Sequence, residues 1–259
     1  MMQRLVTRAM VQQRLSGLLR PGMDVMVHSS LSGLGYLPNG ADDVIDAVLG
    51  LIGRQGTMLV PSHSGQLTDP AEWKSPAVPA EWVRTIRAEM DPVCRTTPAR
   101  NRGLLVDRFM VRYDALRSTH PIASVAALGA RSGYYTDGHP LHESEGEGSP
   151  LHRLYLADGY ALLLGVGIEV CASLHVAEYL ADAPWLWEGT PAVCVAKGQF
   201  VRLARYPQAV PADAADVVEN ASAVIRTDFE GYPIALVALQ PAIDALIGHY
   251  TVKLDRDAA

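Results

Sequence analysis

Residues 23–61, MDVMVHSSLSGLGYLPNGADDVIDAVLGLIGRQGTMLVP, decide the fold. Val25-Met26-Val27 is a short apolar run of the kind that fills a buried strand. It ends abruptly in His28-Ser29-Ser30, and a glycine-bearing loop, Leu31-Ser32-Gly33-Leu34-Gly35, follows. Residues 41–51 then set Val44, Ile45, Val48 and Leu49 on one helical face. Asp42 and Asp43 occupy the first turn of that helix, where its dipole favours negative charge. Gly53 and Gly56 bracket a turn into Thr57-Met58-Leu59-Val60, a second buried run. Strand, helix and strand in that order predict a parallel pair joined by a right-handed crossover.

Outward from this unit the same logic continues. Residues 3–19 read as a helix, with Leu5, Met10, Leu15, Leu18 and Leu19 at roughly helical spacing and Pro21-Gly22 as its stop. Residues 62–103 are irregular and rich in proline, with Trp73 and Trp82 and one short helix at 81–90. A loop of that size inside a domain is usually functional. A helix at 104–110 comes next, and 136–150 form a second long, polar, glycine-rich loop. Residues 160–167, YALLLGVG, are the strongest core strand. A helix follows at 173–181, a hairpin at 194–205 around Lys197-Gly198, and a last helix at 234–247. The expectation is one α/β domain over 1–259. Its mixed, largely parallel central sheet is flanked by helices and carries two long active-site loops.

Composition narrows the function. The 259 residues hold 22 Lys and Arg against 28 Asp and Glu, a formal net charge of −6. That balance argues against a nucleic-acid binder, which needs a basic face, and suits a cationic partner. Apolar residues make up 49%, too many for a disordered chain. No apolar run approaches the ~20 residues of a membrane span. Cys94, Cys171 and Cys194 are odd in number and widely spaced, and no secretory leader pattern opens the chain. A cytoplasmic protein in a reducing compartment is expected. Monomer and homodimer both remain open.

Four clusters could carry chemistry. His28, Ser29, Ser30 and Leu31 stand at the carboxyl end of the first parallel strand, where open α/β sheets bind ligands. Their amides and hydroxyls suit a pyrophosphate, and an ordinary turn explains the same residues. The loop is neither a P-loop nor a dinucleotide fingerprint. His175 and Glu178 are three apart on a helix and share a face. They read either as a general base with its orienting carboxylate or as a surface pair. Residues 117–124, RSTHPIAS, bunch polar groups between apolar elements. The acidic stretch Glu143, Glu145 and Glu147 on one long loop, with Asp69 and Glu72 on the other, is a solvated run or a lining for a cation. His139 and His142 have a plausible metal spacing, but HExxH and any Cys/His array are absent, so no metal is expected.

Taken in order, the chain resembles the aminoglycoside 3-N-acetyltransferase family, whose antibiotic N-acetyltransferase fold is distinct from that of the GNAT acetyltransferases. The matching stretches are VMVHSSLSGLG (25–35), GADDVIDAVLGLIGRQGTMLVPSHS (40–64), RSTHPIASVAALG (117–129), GEGSPLHRL (146–154) and LLLGVGIEVCASLHVAEYLAD (162–182). The resemblance implies acetyl-CoA as donor and the 3-amino group of a 2-deoxystreptamine ring as acceptor, and hence antibiotic resistance. It implies that the loop His28, Ser29, Ser30, Leu31 cradles coenzyme A, and Ser118 is taken with it. It makes His175 the base and Glu178 its orienting carboxylate. The Ser124 hydroxyl is the candidate oxyanion donor, and Asp69, Glu72, Glu143 and Glu145 are the candidate substrate carboxylates. The family's usual threonine three residues before the histidine is Ala172 here. Two other readings stay open: a different small amine as acceptor, and a non-catalytic protein that binds CoA or a cation.

Overall fold

A computed structural model describes residues 4–182, 190–207 and 210–257. Helix α1 (Arg8–Leu15) is shorter than the 3–19 expected. Thr7 caps it, its hydroxyl accepting from the Met10 amide, while residues 4–6 run extended. There Val6 N–H bonds Tyr36 carbonyl and Tyr36 N–H bonds Arg4 carbonyl. The predicted unit then forms as read: β1 (Asp24–Ser29), α2 (Ala41–Ile52) and β2 (Thr57–Pro61), with β1 and β2 parallel.

After α3 (Ala80–Glu89) and α4 (Leu104–Met110) come β3 (Leu116–Arg117), β4 (Val125–Gly129), α5 (Ser132–Thr136) and α6 (Pro150–Leu156). Then follow β5 (Tyr160–Leu164), α7 (His175–Ala181), the hairpin β6 (Ala192–Ala196) with β7 (Gln199–Arg202), and α8 (Ala214–Asn220). The described chain closes with β8 (Val224–Phe229), β9 (Tyr232–Ala238) and α9 (Leu239–Asp257).

Seven strands make one sheet in the order β3-β4-β2-β1-β5-β9-β8. It is mixed and helix-flanked as expected, but not largely parallel. Only β2–β1 and β1–β5 pair in parallel, and the outer four pairings are antiparallel. The helix expected at 234–247 begins only at Leu239. Residues 234–238 are an apolar run that pairs antiparallel with β5, and periodicity does not separate a buried strand from a buried helix over so few residues.

Alternation along the central strands explains why both faces are covered. Val25, Val27, Met58, Val60, Leu162 and Leu164 pack on one face with residues of α1, α2 and α4. Met26, Leu59, Ala161 and Leu163 pack on the other with residues of α6, α7 and α9. Side chains of a strand point alternately to opposite faces, so runs buried on both sides must be apolar throughout. A third, smaller cluster of Leu67, Ile122, Val193, Cys194 and Leu203 fixes the β6–β7 hairpin to the long 62–103 segment.

The three parallel strands end together, with Ser29 opposite Leu164 in the ladder. Gly165 follows directly, at φ +68, and a Cβ there would stand 2.7 Å from the Ser30 carbonyl and 2.4 Å from the Tyr232 ring. Only glycine lets the chain leave β5 that close to the serine loop.

Candidate active site

The loop after β1 is held from below and open above. Ser30 N–H donates to Leu164 carbonyl at 2.8 Å, and the Tyr232 hydroxyl donates to Ser30 carbonyl at 2.9 Å. The 3-10 turn Leu31–Gly33 then carries Leu31 and Ser32 past a groove of about 540 Å³. Ser29, Ser30, Leu31 and Ser32 line that groove together with Arg102 and Gly103.

Beyond Arg102 lies a second cavity of about 450 Å³, bordered by His63, Arg102, Glu145, Ala172, His175 and Tyr206. His175 begins α7, and its Nδ1 stands 2.9 Å from Glu178 Oε1. The carboxylate accepts the Nδ1–H, which leaves Nε2 as the proton-accepting atom of the neutral ring. Glu178 is 1% exposed along its side chain, and its Oε2 has no hydrogen-bond partner among the described residues. Burial works against a charged imidazole at His175. The hydrogen bond and charge of Glu178, with Glu145 behind them, outweigh it, and the net shift is upward from 6.5. Burial also raises the Glu178 and Glu145 carboxyls above the ordinary range, with Glu178's charge adding to the rise at Glu145.

His28 and His63, at the ends of β1 and β2, are buried close by, each with an unpartnered Nε2. Burial lowers the His28 imidazole to about 3, and the charges of Arg102 and His175 add to the effect. Burial and the charges of Arg102, His28, His120 and His175 hold His63 well below 6.5. Both are neutral rings at physiological pH. Cavity size alone would mislead here, because a groove of about 690 Å³ between α1 and β8 holds none of these residues.

Other expectations meet different surroundings. Ser124 Oγ donates to Ser62 carbonyl at 2.8 Å and accepts from Arg117 Nε at 3.0 Å. Its hydrogen is committed to buried structure, so it is not placed to serve an oxyanion. Ser118 is buried, accepts from Val125 N–H and bonds His139 Nδ1 at 2.9 Å, which sets it in a support network away from the serine groove. His139 Nε2 faces Ser144 carbonyl at 2.7 Å, whereas His142 Nδ1 accepts from Ala204 N–H. The two histidines therefore serve separate partners.

The four candidate carboxylates divide in the same way. Asp69 is gripped in two bonds by Arg87, at 2.9 and 2.6 Å. Glu72 pairs with Arg202 at 2.6 Å and accepts from Ala192 N–H. Glu143 is gripped in two bonds by Arg205, at 2.8 and 2.7 Å. These three charges are largely neutralised. Glu145 alone borders the cavity with His175. His63 was within reach of sequence reasoning, because it lies just past a predicted strand end. Arg102 was not, since nothing in an irregular stretch singles out one arginine.

The chain belongs to the aminoglycoside 3-N-acetyltransferase family, whose sequence profile matches residues 26–248. Among curated relatives it is similar to the SPbeta prophage-derived aminoglycoside N(3')-acetyltransferase-like protein YokD of Bacillus subtilis (strain 168), 39% identical over 67% of this chain and 65% of that protein. It is also similar to aminoglycoside N(3)-acetyltransferase VII of Streptomyces paromomycinus, 38% identical over 69% of this chain and 62% of that one. The chain thus spans somewhat under two thirds of the length of these relatives in sequence alignment. Among solved structures, that of aminoglycoside acetyltransferase AAC(3)-Xa superposes with a TM-score of 0.81 at 32% identity, covering 98% of this chain and 95% of that one. AAC-IIIb in its binary complex with CoASH superposes with a TM-score of 0.78 at 28% identity, over 96% of this chain and 98% of that one.

Proposed function

We propose that the protein is an acetyl-CoA-dependent N-acetyltransferase that acts as one domain on the 3-amino group of an aminoglycoside and so confers resistance. The observation that carries this reading is the His175–Glu178 pair. It borders a cavity that meets, at Arg102, the groove beside Ser29–Ser32. The family match and the CoA-bound relative support coenzyme A in that groove. Serine hydroxyls and backbone amides there suit its phosphates and amide groups.

An aliphatic amine is mostly protonated at neutral pH and cannot attack in that form. His175 Nε2 accepts the proton, directly or through a water. Glu178 keeps the ring oriented and balances the imidazolium. The freed lone pair forms a bond to the thioester carbon, and the carbonyl electrons move onto oxygen. Collapse of that tetrahedral species breaks the carbon–sulfur bond, and the departing CoA sulfur takes the extra proton that the attacking nitrogen still carries, which leaves a neutral amide and the CoA thiol. The transfer is direct, so no cysteine is acetylated. Glu145 is the carboxylate that receives the acceptor's cationic groups. No metal takes part in this scheme. The three free cysteines and the acetyl-CoA donor suit the cytoplasm. Among the described residues no helix is long and apolar enough to cross a membrane.

A second reading keeps the donor and changes the acceptor to a smaller amine. It is favoured by the internal pairing of Asp69, Glu72 and Glu143, which leaves little free acidic charge for a polycation. Thiol release from acetyl-CoA across a panel of aminoglycosides and simple amines separates the two. Turnover with a gentamicin-type antibiotic supports the first, and turnover confined to simple amines supports the second. In either case His175→Ala should lower kcat at least ~10²-fold, the lower end of general-base contributions. A kcat near the wild-type value would remove His175 from its role.

A further inference from the structure

The reaction needs an oxyanion-stabilising group, and the serine expected to supply it is committed elsewhere. Among the described residues, Arg102 lines both the serine groove and the His175 cavity. A thioester delivered along the first to an amine held in the second must place its carbonyl at that junction. Arg102 is exposed, and it makes no hydrogen bond or ion pair with any described residue. Three other arginines near the two cavities are engaged: Arg87 with Asp69, Arg117 with Ser62 and Ser64, Arg205 with Glu143.

The backbone presents this side chain deliberately. Asn101 has φ +57 and Gly103 has φ +84, so left-handed residues flank Arg102 on both sides. The bend is tied down by Arg100 N–H to His63 carbonyl at 2.9 Å, and by Val106 and Asp107 amides that bond Gly103 carbonyl. A non-glycine residue held in a left-handed conformation is a cost that folds tend to tolerate where a side chain must be aimed.

We propose that Arg102 is a catalytic residue whose guanidinium stabilises the negative charge developing on the thioester oxygen during acetyl transfer. The inference rests on the acetyltransferase reading above. The electron pair displaced when the amine bonds to the carbonyl carbon resides on that oxygen beside the guanidinium. It returns to re-form the carbonyl as the carbon–sulfur bond breaks. A positive group standing at the junction lowers the barrier because its charge is near that oxygen before the reaction begins. The same charge opposes protonation of the rings around it. His175 faces Glu178 and Glu145 as well as Arg102, with His28 and His63 alongside, and the charge of Arg102 lowers the basicity of His175, His28 and His63 together. The Ser173 hydroxyl, which like His28 Nε2, His63 Nε2 and Glu178 Oε2 has no hydrogen-bond partner among the described residues, is fully buried and does not border the cavity.

The test compares wild type, Arg102→Gln and Arg102→Lys. It measures kcat, KM for acetyl-CoA, the Kd of free CoA by calorimetry, and the pH profile of kcat/KM. The acceptor is the panel aminoglycoside that wild type turns over fastest. If wild type uses none of them, the aminoglycoside reading fails by itself, and hydroxylamine, a small amine that is largely uncharged at neutral pH, serves as acceptor instead. In Arg102→Gln kcat should fall about 10²- to 10³-fold, as on loss of an oxyanion donor. KM for acetyl-CoA and the Kd of CoA should stay within about threefold. The acidic limb should move to higher pH, since His175 loses a repelling neighbour. Arg102→Lys should recover part of kcat. A kcat within about fivefold of wild type overturns the proposal. So does a loss seen only in KM and in the Kd of CoA, which would make Arg102 a phosphate anchor, and so does an acidic limb that moves downward.

Discussion

Replacing Glu178 by glutamine removes a charge and keeps the shape, so it isolates what the carboxylate does for His175. The two side chains meet at 2.9 Å, and the glutamate is almost fully enclosed. With the charge centres roughly 4 Å apart and an effective dielectric near 20, their attraction is about 4 kcal/mol. At about 1.36 kcal/mol per pKa unit that is an upper bound of about three units. Glu145 remains, and an amide oxygen can still accept from Nδ1–H. The expected drop in the His175 pKa is therefore about one to three units. In wild type the ring titrates above 6.5. The acidic limb of kcat/KM should then lie above that value and should fall below it in Glu178→Gln. A base weakened by about two units, at a Brønsted sensitivity near one half, loses roughly tenfold in kcat on the plateau. The assay is thiol release from acetyl-CoA between pH 5 and 9, with a melting curve to establish that the variant is folded. A folded variant whose acidic limb coincides with that of wild type would refute the coupling, whatever happens to kcat.

Three further outcomes follow from the same contacts. Ser124→Ala should cost about 1–3 kcal/mol of stability, because Ser62 carbonyl and Arg117 Nε lose a buried partner. Its kcat should stay within about threefold of wild type; a large drop in kcat with an unchanged melting temperature would return the hydroxyl to the chemistry. Glu145→Gln should raise KM for the amine about ten- to a hundredfold, as for a lost charged hydrogen bond. Asp69→Asn should leave that KM nearly unchanged, because Arg87 already holds its charge; equal effects of the two would contradict the division of carboxylates. Acid should unfold the protein early. His28 and His139 are lowered to about 3, His120 to about 4 and His63 well below 6.5, by burial first in every case. The unfolded chain binds these protons near pH 6.5 and the folded chain does not. Their contribution is complete above that pH and is lost downward at up to about 1.36 kcal/mol per unit for each ring. His175, raised by its partner, acts in the opposite sense and loses its contribution as pH rises through its folded pKa. A urea midpoint that is flat from pH 7 to 4.5 would contradict this.

Residues 23–61 made the parallel core readable because their signals are local. A fully apolar run, an amphipathic helix with an acidic first turn and a glycine turn each depend on neighbours in sequence, and β1, α2 and β2 formed where they pointed. The His175–Glu178 pair was readable for the same reason, since residues three apart on a helix must share a face. The antiparallel pairings that dominate the outer sheet were not readable. Residues 232–238 become β9 only because β5 offers them an edge, and 224–229 become β8 only because β9 is then present.

The acidic loop residues looked alike in sequence. The tertiary structure divided them by partner: Arg87, Arg202 and Arg205 come from distant segments to neutralise Asp69, Glu72 and Glu143, and no arginine reaches Glu145 within ion-pair distance among the described residues. The Ser124 hydroxyl is engaged by a carbonyl 62 residues away, and Arg102 was brought to the junction of two cavities by a bend anchored on His63. Sequence alone determined the elements whose cause lies within a few residues, together with the family. Which side chains meet, and which charges are left uncancelled, depended on contacts between segments far apart in the chain, and only the folded structure sets those.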